Sequence, residues 1–460
     1  MARAKKEAAL TPEERLQAAL VPDWEWPYKL PENWCWTRHN SIMDIVGGAQ
    51  PEKSFFIREP KEGYVQLYQT RDYGEHPVPV YIPQKYATKT ADEGDILLAR
   101  YGGSLGKVFR AHKGAYNVAL AKAIILYPEV VDGEFLYLYY CSRFYQDFCT
   151  KAGYGRSAQA GFNKNDLYEL LFPLPPLAEQ QRIVDRIESL FAKLDEAEEK
   201  AQAVVDSFEI RKAAILHKAF IGELTQKWRR THGLSLDTWK EVAADSLFEY
   251  VTSGSRGWAK YYDESGAAFI RMGNLDHGTI ELDLSDIQYV KLPDKAEGQR
   301  SRIRKNDILI SITADVGMVG LVRNDDFEGY INQHIALVRP AIGENAEFIA
   351  WYLVSDVGLK QMKERQRGAT KVGLGLNDIR TLRFKIPLTD EQNEILRILK
   401  KWLDKEQHAK EAAEAVLDQI DLMKKSILAR AFRGELGTND PSEESAVELL
   451  KQIIEQESSS

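Results

Sequence analysis

The residues best suited to contact an anionic partner are cations that interleave with glycine and tyrosine at two corresponding places in the chain. One group follows a predicted helix in the first half and the other follows a predicted helix in the second half, and together they comprise Arg156, Lys164, Arg365, Arg367, Thr370 and Lys371. Such side chains on a glycine-rich loop can approach the phosphates and base edges of DNA. Capping of the preceding helices by these cations and glycines is the alternative, and the sequence leaves both open.

The densest basic run is Arg300-Ser-Arg302-Ile-Arg304-Lys305. If this run is a strand, alternation puts Arg300, Arg302 and Arg304 on one face, where they could contact DNA. A solvated strand edge is the alternative.

Two polar residues follow a predicted strand in the segment FIRMGNL. Arg271 and Asn274 could there make bidentate contacts with guanine and adenine, respectively. The first half offers weaker candidates of the same kind, which are Arg71, Arg100 and Tyr101.

Motifs for nucleotide or cofactor chemistry are incomplete or absent. The segment Gly102–Lys107 resembles a phosphate-binding loop, but Tyr101 replaces its first glycine and Val108 replaces the hydroxyl that would hold magnesium. A tight turn is the better interpretation. The chain also lacks the Asn-Pro-Pro-aromatic tetrapeptide with which an adenine methyltransferase grips a flipped base. The sequence therefore predicts a protein that is not an enzyme.

Composition bounds the class of protein. A chain of 460 residues with 44% hydrophobic residues and no membrane-length apolar run predicts a soluble protein of at least two domains. Three unpaired cysteines and eight scattered histidines indicate a reducing cytoplasm and no metal site.

The net charge of −8 does not decide whether the partner is DNA. Residues 437–460 carry one lysine and six acidic side chains. Residues 34–176 carry 16 basic and 15 acidic side chains, and residues 236–386 carry 20 and 22. Because the globular regions are balanced, any contact with DNA must come from local clusters.

A duplicated helical segment must position these residues. Glu179–Leu224 and Glu391–Leu436 are 212 residues apart and share the ends EQ and AF-x-GEL. Each copy has an apolar heptad stripe, formed in the first by Ile183, Ile187, Leu190, Leu194, Ala197, Ala201, Val204 and Phe208, and in the second by Ile395, Leu399, Trp402, Ala409, Ala413, Val416, Ile420, Met423 and Ile427. Pairing of the copies with each other predicts an antiparallel coiled coil, and pairing with an outside partner is the alternative.

The globular regions repeat more weakly. Short predicted strands and one late helix in each, Glu134–Thr150 and Asn345–Arg367, predict α+β domains with antiparallel or mixed sheets. We therefore predict an α+β fold of two pseudo-symmetric domains separated by two long helices. The predicted boundaries are 1–33 for an N-terminal extension, 34–176 for domain 1, 177–224 for the first long helix, 225–238 for a linker, 239–387 for domain 2, 388–436 for the second long helix, and 437–460 for an acidic tail with a short helix.

Two related but diverged domains in one chain predict a reader of a bipartite, asymmetric DNA site, with the helices as a spacer. A coiled-coil scaffold whose globular domains bind proteins or small ligands is the alternative. A self-sufficient DNA methyltransferase is disfavoured by the missing motifs.

The sequence resembles the specificity subunit of type I restriction–modification systems. The likeness is carried by LPENW, FPLPPLAEQQRIVDRIESLF, KAAILHKAFIGELTQKW, FIRMGNL, IPLTDEQNEIL, KKSILARAFRGEL and SAVELLKQIIEQ, and it spans essentially the whole chain. The variable regions cannot be matched residue by residue.

The resemblance implies two target recognition domains that each read half of a split site in double-stranded DNA. It implies helices that set the gap and dock two methyltransferase subunits, with further motor-nuclease subunits in the complex. S-adenosylmethionine is expected on the methyltransferase subunits, and no cofactor is expected on this chain. The resemblance also implies that the N- and C-terminal pieces lie together, that no membrane is involved and that the protein is cytoplasmic.

Overall fold

The computed structural model describes residues 11–154, 161–292, 297–367 and 373–459. The chain divides into two compact units, one formed by Met1–Glu199 with Leu417–Ser460 and the other by Lys200–Val416. Each unit holds one predicted recognition domain together with parts of both long helices, so these units cut across the boundaries drawn from the sequence. We call them unit 1 and unit 2.

The helices of the described chain are α1 (Pro12–Ala19), α2 (His39–Ile42), α3 (Gly133–Cys141), α4 (Arg143–Tyr154), α5 (Leu177–Asp206), α6 (Phe208–Phe220), α7 (Gln226–Thr231), α8 (Ala244–Leu247), α9 (Ala346–Val354), α10 (Asp356–Glu364), α11 (Leu376–Arg380), α12 (Thr389–Ala431) and α13 (Ala446–Ser459). In this part of the chain, no helix combines the length and the apolar character needed to cross a membrane.

The strands of unit 1 are β1 (Cys35–Arg38), β2 (Met43–Gly47), β3 (Tyr64–Tyr68), β4 (Tyr81–Pro83), β5 (Thr90–Ala91), β6 (Ile96–Ala99), β7 (Val108–Arg110), β8 (Gly114–Tyr116), β9 (Leu120–Ile125) and β10 (Leu171–Leu174). They form an antiparallel sheet in the order β2-β9-β6-β7, a mixed sheet in the order β4-β3-β8-β5 and the pair β1-β10. Within the mixed sheet, β3 and β8 are parallel.

The strands of unit 2 are β11 (Lys240–Ala243), β12 (Phe248–Ser253), β13 (Tyr262–Asp263), β14 (Ala267–Ile270), β15 (Gln288–Val290), β16 (Ile308–Ser311), β17 (Val319–Leu321), β18 (Gly329–Ile331), β19 (Ile335–Pro340) and β20 (Arg383–Ile386). They form sheets in the orders β12-β19-β16-β17 and β13-β15-β14-β18 and the pair β11-β20. The antiparallel sheet and the pair repeat those of unit 1, whereas the mixed sheets share three adjacent strands, β4-β3-β8 and β15-β14-β18, and differ in the fourth strand. The parallel pair is here β14-β18. The predicted duplication of an α+β domain is therefore present in all of the described strands except one edge strand of each mixed sheet.

A residue in the left-handed conformation, followed by an aspartate, precedes one inner strand of each antiparallel sheet. We call this strand the central strand; it is β6 in unit 1 and β16 in unit 2. Gly94 has φ +86° and Asn306, which occupies the same place in unit 2, has φ +69°. Glycine and asparagine are the residues that adopt this conformation most readily. In unit 2 the following Asp307 is fully buried and accepts two hydrogen bonds of 2.7 Å from Arg339, which raise the pKa of that guanidinium.

Each predicted late helix is broken near its middle by a serine. In unit 1, Ser142 separates α3 from α4, and in unit 2, Ser355 separates α9 from α10. Both serines are buried, and each hydroxyl donates to the carbonyl three residues earlier at 2.6 Å. Side-chain hydrogen bonds of this kind compete with the helical backbone pattern. The predicted single helices are therefore helix pairs.

The two long helical segments pair with each other in antiparallel fashion, as predicted. In unit 2, Arg211 Nε donates to Glu406 Oε2 at 2.6 Å. In unit 1, the ammonium of Lys424 lies 2.6 Å from carboxylate oxygens of both Asp195 and Glu198. The first segment is not continuous, however, because Ser207 interrupts it between α5 and α6.

The seam of α12 contains Ile395, Leu399, Ala413, Ile420 and Ile427 of the predicted stripe, but its other positions are shifted by one residue. Trp402, Ala409, Val416 and Met423 were predicted to face the partner helix but are exposed, and Leu403, Lys410, Leu417 and Lys424 occupy the more buried positions. Lys410 can do so because its ammonium lies 4.9 Å from the centre of the Phe208 ring. Lys424 has the two carboxylate partners described above. Counting apolar residues could not reveal seam positions that are filled by partnered lysines.

The terminal segments pack together in unit 1. Helix α1, within the predicted N-terminal extension, packs on α13, where Leu450 and Ile454 are buried. The hydroxyl of Tyr28 donates to the carbonyl of Phe432 at 2.9 Å, and Asn33 Nδ2 donates to the carbonyl of Asp440 at 3.0 Å. The association of the two chain ends that the resemblance implied is therefore present.

A buried glutamate near the start of α5 anchors this helix in unit 1. Glu179 is fully buried and accepts hydrogen bonds from Trp34 Nε1 at 2.7 Å and Asn439 Nδ2 at 2.8 Å. Thr438 Oγ1 donates to its second oxygen at 3.3 Å. The neighbouring Gln180 donates to the carbonyl of Pro175 at 2.9 Å. The Glu-Gln motif of the repeat thus joins the helix to the domain before it.

The corresponding glutamate in unit 2 has a charged partner. Glu391 is fully buried and accepts from Trp239 Nε1 at 3.1 Å and Thr225 Oγ1 at 2.7 Å. It also accepts from Arg229 Nη1 at 2.5 Å. Arg229 belongs to α7, a helix within the segment that the sequence predicted as a linker, and it is only 6% exposed. Unit 2 therefore holds a buried ion pair at this position, whereas the donors to Glu179 among the described residues of unit 1 are neutral.

Candidate nucleic-acid interface

Three loops of unit 2 meet at the edge where the parallel strands β14 and β18 end. Residues 271–274 follow β14, residues 332–334 follow β18, and residues 312–317 follow β16. The amide of Asn332 donates to the carbonyl of Ile270 at 3.1 Å, and the amide of Ile312 donates to the carbonyl of His334 at 2.9 Å. A pocket of about 430 Å³ opens between the loops and is lined by Arg271, Met272, Gly273, Ala314, Asn332 and His334. Of the predicted residues, Arg271 lies at this pocket.

Asn274 has a structural role, which corrects the prediction that it contacts adenine. Its side chain is buried, and Oδ1 accepts from the amide of Arg271 at 2.8 Å. Its Nδ2 donates to the carbonyls of Asp283 at 2.8 Å and Asp286 at 3.2 Å. Because both amide hydrogens are used inside the protein, no donor remains for a base. Arg271 is partly exposed, and its guanidinium is 3.8 Å from the exposed carboxylate of Asp286, so it stays a candidate.

The basic run around Arg302 is not a strand, which corrects the predicted conformation. Glu297–Ser301 is a 3₁₀ helix, and Arg302 forms a single antiparallel bridge with Tyr330. Exposure nevertheless alternates, because Ser301 and Ile303 are buried while Arg300, Arg302 and Arg304 are exposed. The predicted common exposure of the three arginines therefore arises without a regular strand.

The guanidinium of Arg302 stays accessible to an outside partner. Its side chain is 48% exposed, and the nearest acidic group is Glu328, at 3.8 Å. Glu328 is also engaged by the hydroxyl of Tyr330, which donates to it at 2.6 Å. Burial together with this hydrogen bond raises the pKa of Tyr330 to about 12, so the hydroxyl is neutral at pH 7. Arg300, in contrast, donates to Ser255 Oγ at 2.9 Å.

Arg365 and Arg367 are predicted together but have different environments. Arg365 donates to the carbonyl of Gln361 at 2.9 Å and to Thr381 Oγ1 at 3.2 Å. It therefore caps the C-terminal end of α10, as in the alternative considered above. The side chain of Arg367 is 82% exposed, and its guanidinium donates to Asp378 at 2.7 Å, while its backbone pairs with Gly373. Thr370 and Lys371 lie outside the described residues.

In unit 1 the loop residues after β6 are held by the neighbouring turn. Arg100 Nε donates to the carbonyl of Val118 at 3.1 Å, and its guanidinium lies 4.7 Å from the centre of the Tyr101 ring. Tyr101 forms an isolated bridge with Gly161. The equivalent bridge in unit 2 joins Thr313 and Gly373. The loop that carries the predicted cations is thus tied to the strand end in both units.

The other first-half candidates are less uniform. Arg71 is exposed in a 3₁₀ turn that follows β3. Lys164 donates to Asp44 Oδ2 at 2.6 Å and keeps 59% of its side chain exposed. Arg156 lies outside the described residues. Where described, the predicted cations of unit 1 therefore face solvent, but they do not converge on one pocket as the loops of unit 2 do.

Three residues of the unit 2 edge were not predicted. Arg256 is exposed next to Ser255, which forms a parallel bridge with Asn332. Gln333 and His334 lie in the turn that lines the pocket. The only signal in the sequence is a short polar segment between two apolar strands, and this is typical of most turns. Their proximity to Arg271 depends on the pairing of β14 with β18, which no local pattern reveals.

A family model described as type I restriction modification DNA specificity domain matches the chain twice, over residues 31–206 and 237–415. The chain is 24% identical over 433 residues to the type I restriction enzyme EcoKI specificity subunit of Escherichia coli strain K12, covering 89% of this chain and 90% of that protein. It is 27% identical over 287 residues to the EcoBI specificity subunit of Escherichia coli, a match that spans 59% of each chain.

Solved structures support the fold. A chain from a structural study of complex assembly and conformational transition of the type I R-M system superposes with a TM-score of 0.68 at 21% identity, covering 89% of this chain and all of that one. The HsdS subunit from Thermoanaerobacter tengcongensis superposes with a TM-score of 0.56 at 21% identity, covering 90% of this chain and all of that one. The predicted α+β fold with two repeated domains and a long helix pair is confirmed.

Proposed function

Because the chain belongs to the family of type I restriction modification DNA specificity domains, we propose that it selects the DNA sequence for a restriction–modification complex. Each unit reads one half of a bipartite, asymmetric site in double-stranded DNA. The chain is a specificity subunit and is not itself an enzyme, in keeping with its relatives. The predicted location of the complex is the cytoplasm.

The observation that carries this proposal is a constant framework with divergent surface side chains. Both units use the same order of strands in the antiparallel sheet, the same parallel strand pair in the mixed sheet, and the same bridge that joins the loop after β6 or β16 to a glycine. Their exposed loop residues differ, as Arg302 in unit 2 stands where unit 1 has Thr90. To recognise different bases, two domains need different side chains on the same scaffold. Two such domains would read two different sequences.

Further subunits would supply the chemistry and use the helices. Two methyltransferase subunits that bind S-adenosylmethionine, and motor-nuclease subunits, are the proposed partners. Exposed apolar side chains on α12 in unit 2, which include Trp402 and Val416, support a docking surface on this helix. With 43 residues, α12 is about 65 Å long, which suits a spacer between half-sites.

A band-shift series tests the central proposal. The purified chain, together with its methyltransferase partner, is titrated against a library of duplexes at several salt concentrations. Saturable binding to one bipartite sequence, weakened by salt, is the expected result. Absence of any DNA preference at every salt concentration would favour the scaffold alternative. Methyl transfer by the chain alone would show that it is an enzyme after all.

Arginine substitutions test the interface in unit 2. Arg302→Ala or Arg367→Ala is expected to weaken binding to the cognate duplex by about 1–3 kcal/mol, because each removes an accessible cation. Arg365→Ala is the matched control, since its guanidinium is used at the end of α10 and its loss should change DNA affinity little. The dissociation constants of the variants are measured in the same band-shift series and compared with that of the wild type. Unchanged affinity in both test variants would remove these two residues from the interface.

Lengthening the helices tests the spacer. Four residues are inserted after Lys200 in α5 and four after Val416 in α12, so that both helices grow equally. We expect a changed number of base pairs between the half-sites and unchanged half-site sequences, because the reading loops are untouched. Insertion of the same four residues after Ile342, which is 99% exposed, is the control. A spacer that is unchanged by the helix insertions would contradict the role of the helices.

A further inference from the structure

One turn has the same backbone in both units and joins the two sheets of each. It is Asn117-Val118-Ala119 between β8 and β9, and Asn332-Gln333-His334 between β18 and β19. In each, the asparagine Oδ1 accepts from the amide two residues later, at 3.2 Å in unit 1 and 3.0 Å in unit 2. The backbone amide of the asparagine donates to the last carbonyl of the neighbouring parallel strand, which is that of Tyr68 in unit 1, at 3.0 Å, and that of Ile270 in unit 2, at 3.1 Å.

The loop that follows β6 in unit 1 and β16 in unit 2 forms a hydrogen bond with the same turn. In unit 1 the backbone carbonyl of Ala119, the third residue of the turn, accepts from the backbone amide of Arg100 at 3.0 Å. In unit 2 the carbonyl of His334 accepts from the backbone amide of Ile312 at 2.9 Å. A glycine packs against the turn in each case. A Cβ at Gly48 would lie 2.0 Å from the carbonyl oxygen of Asn117, and one at Gly254 would lie 2.3 Å from that of Asn332. The position of this turn is therefore fixed in both units.

The two units differ in the second and third side chains of the turn. Unit 1 presents Val118, which is 39% exposed, followed by alanine. Unit 2 presents a polar chain in which Gln333 Nε2 is 2.8 Å from His334 Nε2, and His334 Nδ1 is 2.6 Å from Thr313 Oγ1. Because the amide of Gln333 donates to Nε2, the imidazole proton is on Nδ1 and is donated to Thr313. These two contacts hold the Gln333 side chain beside the imidazole.

We propose that this turn is a base-reading element and that Gln333 reads an adenine in the major groove of the half-site bound by unit 2. One hydrogen of Nε2 is used by His334, which leaves the second hydrogen and the oxygen Oε1. Among the described residues, nothing donates to Oε1. A donor and an acceptor side by side on one amide match the N7 and N6 groups of adenine. Rigid presentation favours this contact because little side-chain entropy is lost on binding.

The neighbouring pocket provides room for the base edge. His334 and Asn332 line the opening of about 430 Å³ together with Arg271, so a cation that can contact phosphate lies at the pocket beside this turn. Unit 1 cannot make the same contact, because Val118 offers no hydrogen-bonding group. The inference rests on the proposed function, and it names the position that would distinguish the two half-sites.

Mapping of modified bases tests this inference. The full chain is expressed with its methyltransferase partner in a host free of DNA methylation, and modified adenines are mapped across the genome. In the wild type we expect a bipartite sequence in which one half-site requires an adenine in addition to the adenine that is modified. Gln333→Ala should relax that single position, reducing discrimination at least about tenfold, because a bidentate contact is lost. The other positions and the other half-site should not change.

Two further variants sharpen the test. Gln333→Glu keeps the shape of the side chain but can only accept hydrogen bonds, and it should shift the preference at the same position toward cytosine. Gln452→Ala is the matched control, because Gln452 is an exposed glutamine on α13 that donates to Glu444 at 2.8 Å. Its modified sequence should equal that of the wild type.

The outcomes separate the two proposals. If the wild type yields a bipartite sequence and both Gln333 variants modify it with unaltered discrimination, the role of Gln333 is wrong and the proposed function stands. If the wild type yields no sequence preference, the proposed function fails and this inference fails with it. Relaxation at one position by Gln333→Ala, or a shift to cytosine by Gln333→Glu, supports the inference.

Discussion

Glu391→Gln is expected to destabilise unit 2 by about 3–5 kcal/mol, because it leaves the buried cation of Arg229 without its counter-charge. The geometry makes the loss hard to relieve. Arg229 is 6% exposed, and its other hydrogen bonds go to Thr225 and to the carbonyl of Gly222, both neutral. The guanidinium cannot deprotonate near pH 7, so it must stay charged in a buried site.

The same substitution in unit 1 is the matched comparison. Glu179 faces the neutral donors Trp34, Asn439 and Thr438, and a glutamine can keep its oxygen toward the first two while its amide donates to the threonine hydroxyl. We therefore expect Glu179→Gln to cost about 1 kcal/mol. Denaturant unfolding, followed by hydrogen exchange of peptides from each unit, measures both effects.

A surface pair provides the control for charge removal alone. Glu394 lies three residues beyond Glu391 and accepts from the exposed Arg397 at 2.7 Å. Glu394→Gln should change the free energy of unfolding by about 0.5 kcal/mol or less. Equal costs for Glu391→Gln and Glu179→Gln would show that the ion pair with Arg229 contributes nothing beyond the neutral hydrogen bonds.

Sequence repetition predicted the fold because the repeated residues have the same structural role in both units. The Glu-Gln motifs recur since each glutamate is buried against a tryptophan, and Gly94 and Asn306 match since each position is left-handed. Positions of this kind are set by local conformation and by burial. They leave a signal at a constant spacing that can be read without coordinates.

The phase of the helix seam could not be predicted in the same way. A stripe through Trp402 and Val416 is as apolar as the one that packs, and the chain instead buries positions that include Lys410 and Lys424. The decision comes from partners far away in sequence, which are Phe208 for Lys410 and two carboxylates for Lys424. Amphipathic pattern alone cannot weigh such contacts.

The candidate interface was predicted by region but not by residue. Asn274 follows a strand as a base-reading residue would, yet its amide is used to close a turn. Gln333 has no distinguishing pattern, and it gains its place because β14 and β18 pair in parallel and bring their ends together. Glu443, in the segment predicted as an acidic tail, accepts two hydrogen bonds of 2.8 Å from Arg182. The residue types predicted that these positions are polar. Only the tertiary contacts show which polar groups are used within the fold and which stay available to a partner.

His39 should make the stability of unit 1 sensitive to acid, in contrast to unit 2, where Ala244 takes the corresponding place. His39 is fully buried, with Nε2 at 2.6 Å from the hydroxyl of Tyr140, and Nδ1 has no partner among the described residues. Burial lowers the pKa of His39 to about 3, and the carboxylate of Asp44 opposes this shift only partly. A second N–H on the charged ring would be buried without an acceptor.

The direction of the pH effect follows from the lowered pKa. The unfolded chain binds a proton at His39 near pH 6.5 and the folded chain does not until about pH 3, so stability is complete above pH 6.5 and falls as the pH drops. The loss approaches about 1 kcal/mol per pH unit below pH 6.5, or roughly 2–3 kcal/mol by pH 4.5. Hydrogen exchange of amides in β2 and β9 measures it.

His39→Leu removes the titrating group while every other acid-sensitive group stays. At pH 7.5 the variant should be less stable than the wild type by about 1 kcal/mol, because the hydroxyl of Tyr140 loses its partner. At pH 4.5 the difference should have moved by about 2–3 kcal/mol in favour of the variant. His76→Asn, at an exposed histidine of the same unit, should show no such movement. A constant difference between wild type and His39→Leu from pH 7.5 to 4.5 would mean that the ring titrates alike in the folded and unfolded chain, and burial would then not control its charge.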